Sequence, residues 1–200
     1  QQIDVPEAFS EKGPLRLLYL GRISPEKGVD IIVKAMGELP KDVPVTLGIY
    51  GLQQDEGEFV QRIIKQTGND SRITLHPSVS PDEVIPLMRE FHVLLVPSQW
   101  LETGPFVVLE ALSSKTPVVG SRLGGIGEHI TDGGDGVLVD GFRLPKSWRD
   151  VFLSIVKDSR EITEMRSILK SPSNFHSIAK KHVELYEKLV SEKIQQTINL

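Results

Sequence analysis

The chain has 200 residues, 39% hydrophobic and 25% charged, with 17 Gly, 13 Pro, no Cys and a formal net charge of −4. A chain of this length suits one domain and buries about 70% of the surface its unfolded form exposes, so it needs no covalent staples. The composition excludes a disulfide framework, a thiol nucleophile and a cysteine zinc site, and its slightly acidic balance argues against a broad nucleic-acid or membrane-surface footprint. No apolar run approaches the roughly 18 residues of a spanning helix, and the polar opening Gln1 to Glu7 is no signal peptide. A soluble, cytoplasmic globular domain is expected.

The apolar run Leu15 to Leu20, ended by Gly21, predicts a first strand. Ile31, Ile32, Ala35 and Met36 then repeat at helical spacing. Val45 to Tyr50, closed by Gly51, is a second strand, and Phe59, Val60, Ile63 and Ile64 share a helical face. Ile73 to Leu75 is a third strand. The next helix opens with Ser80 as N-cap, Pro81 at its first position and Glu83 completing a capping box. Val93 to Val96 is strand four, Phe106 to Leu112 a helix, Pro117 to Gly120 strand five and Val137 to Val139 strand six. From Pro145 the chain reads as helices, the last striped by Ile178, His182, Leu185 and Leu189.

Strands that are apolar throughout, separated by helices of roughly 10–15 residues, imply a parallel sheet covered on both faces. The predicted fold class is α/β, a single Rossmann-like, doubly wound parallel sheet of about six strands. The expected organisation is a linker over residues 1–14, the sheet domain over 15–157, and a helical tail over 158–200 packing on it. Asp158 to Asn174, with Ser171-Pro172-Ser173, is a candidate linker within that tail. Ligands of such sheets bind beyond the carboxyl ends of the strands, which directs attention to the segments after Leu20, Tyr50, Leu75, Val96 and Gly120.

After strand one, Gly21 permits a sharp turn, and Arg22 and Lys27 bracket the loop into the next helix. An anion there would meet two cations and the N–H groups of a helix start. Cations at a helix start oppose its macrodipole, so they fit a ligand better than they fit the helix; two solvated loop charges are the alternative. The loop has no Gly-Lys-Ser/Thr and is not a phosphate-binding Walker loop.

After strand four, Glu102 and Glu110 stand eight residues apart, roughly 80° apart on a continuous helix. Pro105, preceded by Gly104, opens the helix instead, leaving Glu102 in the loop and Glu110 in the second helical turn. Two acceptors so placed would reach different parts of one ligand; solvated carboxylates are the alternative. Trp100 nearby fits a lid or the core equally. After strand five, Gly124-Gly125 suits either close ligand approach or a tight turn. His76, following strand three with Pro77, would flank the site. The five histidines show no metal spacing and no Asp-x-Asp pair exists, so Arg22 and Lys27 are left to neutralise phosphate.

Together, in this order and spacing, these loops resemble the C-terminal, nucleotide-sugar-binding domain of GT-B glycosyltransferases, most closely the retaining family 4, or "glycosyl transferases group 1". The resemblance is carried by Gly21-Arg22-Ile23-Ser24-Pro25-Glu26-Lys27-Gly28, by Pro97-Ser98 leading to Glu102 through Glu110 as the family's E-x7-E, and by Pro117-Val118-Val119 with Gly124-Gly125-Ile126-Gly127-Glu128. It covers about residues 15 to 145, and the helical tail with Tyr186 also fits. It implies the C-terminal half of a GT-B architecture and metal-free transfer of a sugar from a nucleoside-diphosphate sugar, such as a UDP- or GDP-sugar, with retention of configuration. The implied catalytic residues are Glu102, Arg22 and Lys27. The implied donor-binding residues are Gly21, Arg22, Lys27, Gly51, His76, Pro77, Glu102, Gly104, Pro105, Phe106 and Glu110. Arg22 and Lys27 would grip the diphosphate and stabilise its departure, Glu102 would meet sugar hydroxyls, and Glu110 the ribose. Backbone amides around Gly104 to Phe106 would reach sugar or phosphate, and Leu75 to Pro77 would border the base.

Two departures accompany the resemblance. Thr103-Gly104-Pro105 stands where the family commonly has Gly-Phe-Gly, and nothing before Leu15 has room for the N-terminal acceptor domain. The expected chain is thus a donor half, excised or naturally split, inactive alone and partnered by that domain; the whole enzyme would sit in the cytoplasm or peripherally at the inner membrane face. A non-catalytic nucleotide- or phosphate-binding module is the alternative. A glycoside hydrolase using Glu102 and Glu110 leaves the cationic loop unexplained.

Overall fold

β1 (Leu15–Leu20) is apolar at almost every position and lies at the centre of a sheet, which is why neither of its faces can be polar. This computed structural model describes residues 13–53, 57–158, 160–169 and 175–198. β1 pairs in parallel with β2 (Val45–Leu52) on one side and β4 (Val93–Val96) on the other. β3 (Ile73–Pro77) adds outside β2, and β5 (Val118–Ser121) and β6 (Gly136–Val139) outside β4. All six strands are parallel, in the order β3-β2-β1-β4-β5-β6, as expected of a doubly wound sheet. Pro77 ends an edge strand, where its missing N–H costs no ladder bond.

Helices cover both faces. On one, Ile32 and Met36 of α1 (Val29–Glu38), Val60 and Ile63 of α2 (Glu58–Thr67), and Trp148 and Phe152 of α6 (Pro145–Lys157) enclose a buried cluster. Ile64, expected on the buried stripe of α2, lies at its shoulder and is 37% exposed. On the other face, Met88 of α3 (Pro81–Arg89), Val108 and Leu112 of α4 (Phe106–Ser113) and Ile126 of α5 (Gly124–His129) pack around Leu18 and Leu94. The capping box of α3 forms, with the Ser80 N–H donating to the Glu83 carboxylate at 2.9 Å.

The chain divides into two units, one ending at residue 170 and one over residues 171–200. α7 (Arg160–Ile168) falls in the first, with Ile162 and Met165 buried in its core. Residues 160–168, expected as linker, are therefore a packed helix; the expected N-terminal linker lies almost wholly outside the described residues. The second unit contains α8 (Phe175–Ile198), along which Lys180–Glu184 and Lys188–Glu192 pair one turn apart. Among the described residues, no helix is long and apolar enough to cross a membrane.

Candidate functional site

The sheet order reverses between β1 and β4, and the loops leaving those strands diverge to opposite faces, opening a crevice at their carboxyl ends. Glycines let the loops close on one another there. Gly28 has φ 69°, and a Cβ on it would lie 2.0 Å from the Pro97 carbonyl oxygen, so only glycine lets the β1 loop rest on the β4 loop. The Gln99 N–H seals that contact by donating to Glu26 O at 2.7 Å. On the far side, the Gly125 N–H donates to Glu102 O, also at 2.7 Å, which ties the β5 loop to the β4 loop.

Between these loops lies a cleft of about 340 Å³, lined on one wall by Tyr19, Gly21, Arg22 and Lys27 and on the other by Ser98, Glu102, Gly104, Pro105 and Phe106. Its floor is Leu95 and Val96. Lys27 Nζ donates to Glu102 Oε1 at 2.6 Å, and Ser98 Oγ donates to the same oxygen at 2.9 Å. Burial alone would raise the Glu102 pKa, but these two donors outweigh it and hold the carboxyl below its ordinary value. Arg22 stands at the rim with its side chain 71% exposed, 3.9 Å from the Glu26 carboxylate. Tyr19, 3% exposed, donates its hydroxyl to Arg22 O at 2.5 Å and fixes the turn that carries the guanidinium. The cleft thus presents two cations, one fixed carboxylate and the start of α4, whose free N–H groups favour an anion.

Seven of the sequence-predicted residues line this cleft: Gly21, Arg22, Lys27, Glu102, Gly104, Pro105 and Phe106. The helix start in the cleft is that of α4 rather than the expected α1, because the Pro97–Gln99 segment lies over Gly28, the cap of α1. Gly51 lines a second, shallower concavity of about 210 Å³ that shares Arg22 and includes Ser24 and Gly57. With φ 149° it permits the β2 end to approach the β1 loop: a Cβ there would sit 1.9 Å from Gly21 O. His76 and Pro77 end the outermost strand and line neither space; His76 stacks on Tyr50 with ring centroids 4.3 Å apart. Glu110 lies in the second turn of α4, half-buried and off the cleft wall, and burial pushes its carboxyl pKa up. Trp100 is 69% exposed, which removes it from the core. Among the described residues, no three His, Asp or Glu side chains gather in a way that would hold a metal ion.

Sequence reasoning missed Tyr19 and Ser98 as parts of the site. Each is a polar group at or beside the carboxyl end of an otherwise apolar strand, and that placement is the one signal pointing to them.

The family described as "Glycosyl transferases group 1" matches residues 1–181. A D-inositol 3-phosphate glycosyltransferase of Arthrobacter sp. (strain FB24) is 35% identical over 150 residues, a match covering 73% of this chain and 35% of the relative. Among solved structures, HepE of Anabaena in complex with UDP and glucose superposes with a TM-score of 0.70 at 20% identity, covering 93% of this chain and 49% of that one. The sucrose-phosphate synthase of Thermosynechococcus elongatus superposes with a TM-score of 0.75 at 21% identity, over 92% of this chain and 47% of that one. At such identities these structures bear on the fold: the sheet is that of one half of a GT-B protein. The chain spans about a third of the length of the curated relatives it matches, 35% and 37% for two of them.

Proposed function

The chain belongs to the glycosyl transferases group 1 family, and from that premise we propose that it is the donor-binding part of a retaining, metal-independent glycosyltransferase. Its ligand is a nucleoside-diphosphate sugar. The bond between the sugar's anomeric carbon and the diphosphate oxygen breaks, a bond from that carbon to an acceptor hydroxyl oxygen forms on the same face, and the hydroxyl proton passes to the departing diphosphate oxygen. Negative charge grows on the leaving diphosphate. Arg22 and Lys27 stabilise it with cations already in place before the reaction begins. Glu102 accepts hydrogen bonds from the sugar hydroxyls and Glu110 from the ribose, while the start of α4 offers N–H groups to phosphate. The stretch from Leu75 to Pro77 borders the base. The acceptor is held by polypeptide beyond these 200 residues, and sugar transfer requires it.

The observation that supports this reading best is the pairing in one cleft of a lysine, a second cation at the rim and an ionised carboxylate 2.6 Å from the lysine. A module that merely sensed nucleotide would need the cations but not the carboxylate. Calorimetric titration with UDP, GDP and ADP, without added metal, tests the phosphate assignment. Arg22→Ala removes a charged hydrogen-bond donor, a loss of roughly 1.5–3 kcal/mol or about 10- to 150-fold in affinity. Equal affinity in variant and parent would remove Arg22 from the phosphate site.

A further inference from the structure

Lys27 is the inner cation of the cleft. Its side chain is 30% exposed against 71% for Arg22, and its ammonium is already engaged by Glu102 at 2.6 Å. Glu102 is not free to swing aside, because the oxygen that meets Lys27 also accepts from Ser98 Oγ at 2.9 Å, and Ser98 is 1% exposed. The Glu102 side chain itself is 21% exposed. A phosphate drawn to Lys27 therefore arrives beside a fixed negative charge in a partly desolvated place, where like charges repel more strongly than in water.

The two forms of ligand meet this carboxylate differently. A free nucleoside diphosphate has an ionisable terminal phosphate and nothing to offer Glu102 but repulsion. An intact nucleotide sugar has that phosphate esterified, with one ionisable oxygen fewer, and presents neutral hydroxyls that donate to a carboxylate. Resting on the donor-site reading above, we infer that Glu102 is a specificity-determining residue that makes the cleft prefer the intact nucleotide sugar to the nucleoside diphosphate left after transfer. The carboxylate that holds the sugar in place before transfer becomes, once the sugar has gone, a charge that drives the spent nucleotide out.

The test is calorimetric titration of the 200-residue chain with UDP and UDP-glucose, and in parallel with GDP and GDP-mannose, for the parent, Glu102→Gln, Glu102→Ala and Ser98→Ala. Removing the charge is expected to tighten the diphosphate by roughly 3- to 10-fold while weakening the matching nucleotide sugar. Those opposite signs are what a loss of packing does not produce. Ser98→Ala leaves Glu102 charged but less firmly held, and gives a smaller shift in the same two directions. Diphosphate affinity that stays within twofold of the parent, or falls, in the Glu102 variants overturns the selector while leaving the donor site standing. A parent that binds none of the four ligands, nor ADP or ADP-glucose titrated alongside them, overturns both.

Discussion

Tyr19 does for the β1 loop what Ser98 does for Glu102. Its ring is buried at the end of a central strand, and its hydroxyl reaches the carbonyl of the residue that carries the rim cation. Burial is the main cause pushing the phenol pKa up, so the group stays a neutral donor across the whole working pH range. Tyr19→Phe leaves that carbonyl without its partner and is expected to cost about 1 kcal/mol of stability, read as a lower urea midpoint at unchanged slope. Nucleotide affinity should fall with it, since Arg22 then hangs from a looser turn; a midpoint equal to the parent's would show that the bond carries no stability. At this scale the sequence reveals residue types better than partners. Arg22, Lys27 and Glu102 stand out because charges following apolar strands have little structural work to do. That Lys27 and Glu102 meet is invisible in the sequence, as 75 positions separate them and the contact depends on Gly28 folding against Pro97. His76 is harder to place: it lies near the end of β3, two places from the sheet's reversal point, and its ring stacks on Tyr50.

Among the elements, β3 and α1 are tied together by one guanidinium. Arg72, at the entry to β3, donates to the carbonyls of Met36 and Pro40, each at 2.8 Å, and so caps the carboxyl end of α1. Asp70 orients it with a bond of 2.8 Å and also accepts from Lys41. The side chains of Arg72 and Asp70 are only 11% and 7% exposed. Arg72→Ala should therefore destabilise the chain by about 2–3 kcal/mol, through the lost cap and a buried carboxylate left without its guanidinium, with nucleotide affinity unchanged because the tether lies at the far end of the sheet. The same pair predicts a pH dependence. The Arg72 hydrogen bonds lead the causes that hold the folded Asp70 pKa well below the ordinary carboxylate range. Its contribution is then present above the unfolded value near 4 and is lost as pH falls through that value toward the folded one. The parent's urea midpoint should drop between about pH 5 and pH 3 more steeply than that of Asp70→Asn; parallel curves would remove Asp70 from the acid transition. All six strands were legible as largely apolar runs, a consequence of burial on both faces. α5 was not, because Gly124-Gly125-Ile126-Gly127 has no helical periodicity to read; the contact between Gly125 and Glu102 O fixes the start of that helix from outside. α7 lies in a stretch whose polar composition read as helical tail and as linker alike, though Ile162 and Met165 one turn apart mark the side it buries.

For the molecule as a whole, one arrangement governs what can bind. A doubly wound sheet places the two innermost loops at its reversal point, and here both cations and the ionised Glu102 lie on those loops. If the cations alone neutralise the diphosphate, binding needs neither added metal nor the remaining two-thirds of the length found in the relatives. Both consequences are open to thermal unfolding. A ligand at one hundred times its dissociation constant adds about 2.7 kcal/mol of stability, which for a chain of this size is a shift of roughly 5–10 °C. The expected result is a shift with one of UDP, GDP or ADP that is undiminished by EDTA and largely lost in Arg22→Ala. A shift abolished by EDTA and restored by magnesium would mean that a divalent ion, not Lys27 and Arg22, carries the phosphate charge. The choice among the three nucleotides names the base, which the sequence leaves open because base contacts made through backbone have no residue signature. Sugar transfer is a separate matter. On the proposed reading, the same chain, saturated with its nucleotide sugar, should transfer nothing to an acceptor until the polypeptide that holds the acceptor is supplied, since the roles proposed for the cleft residues all address the donor.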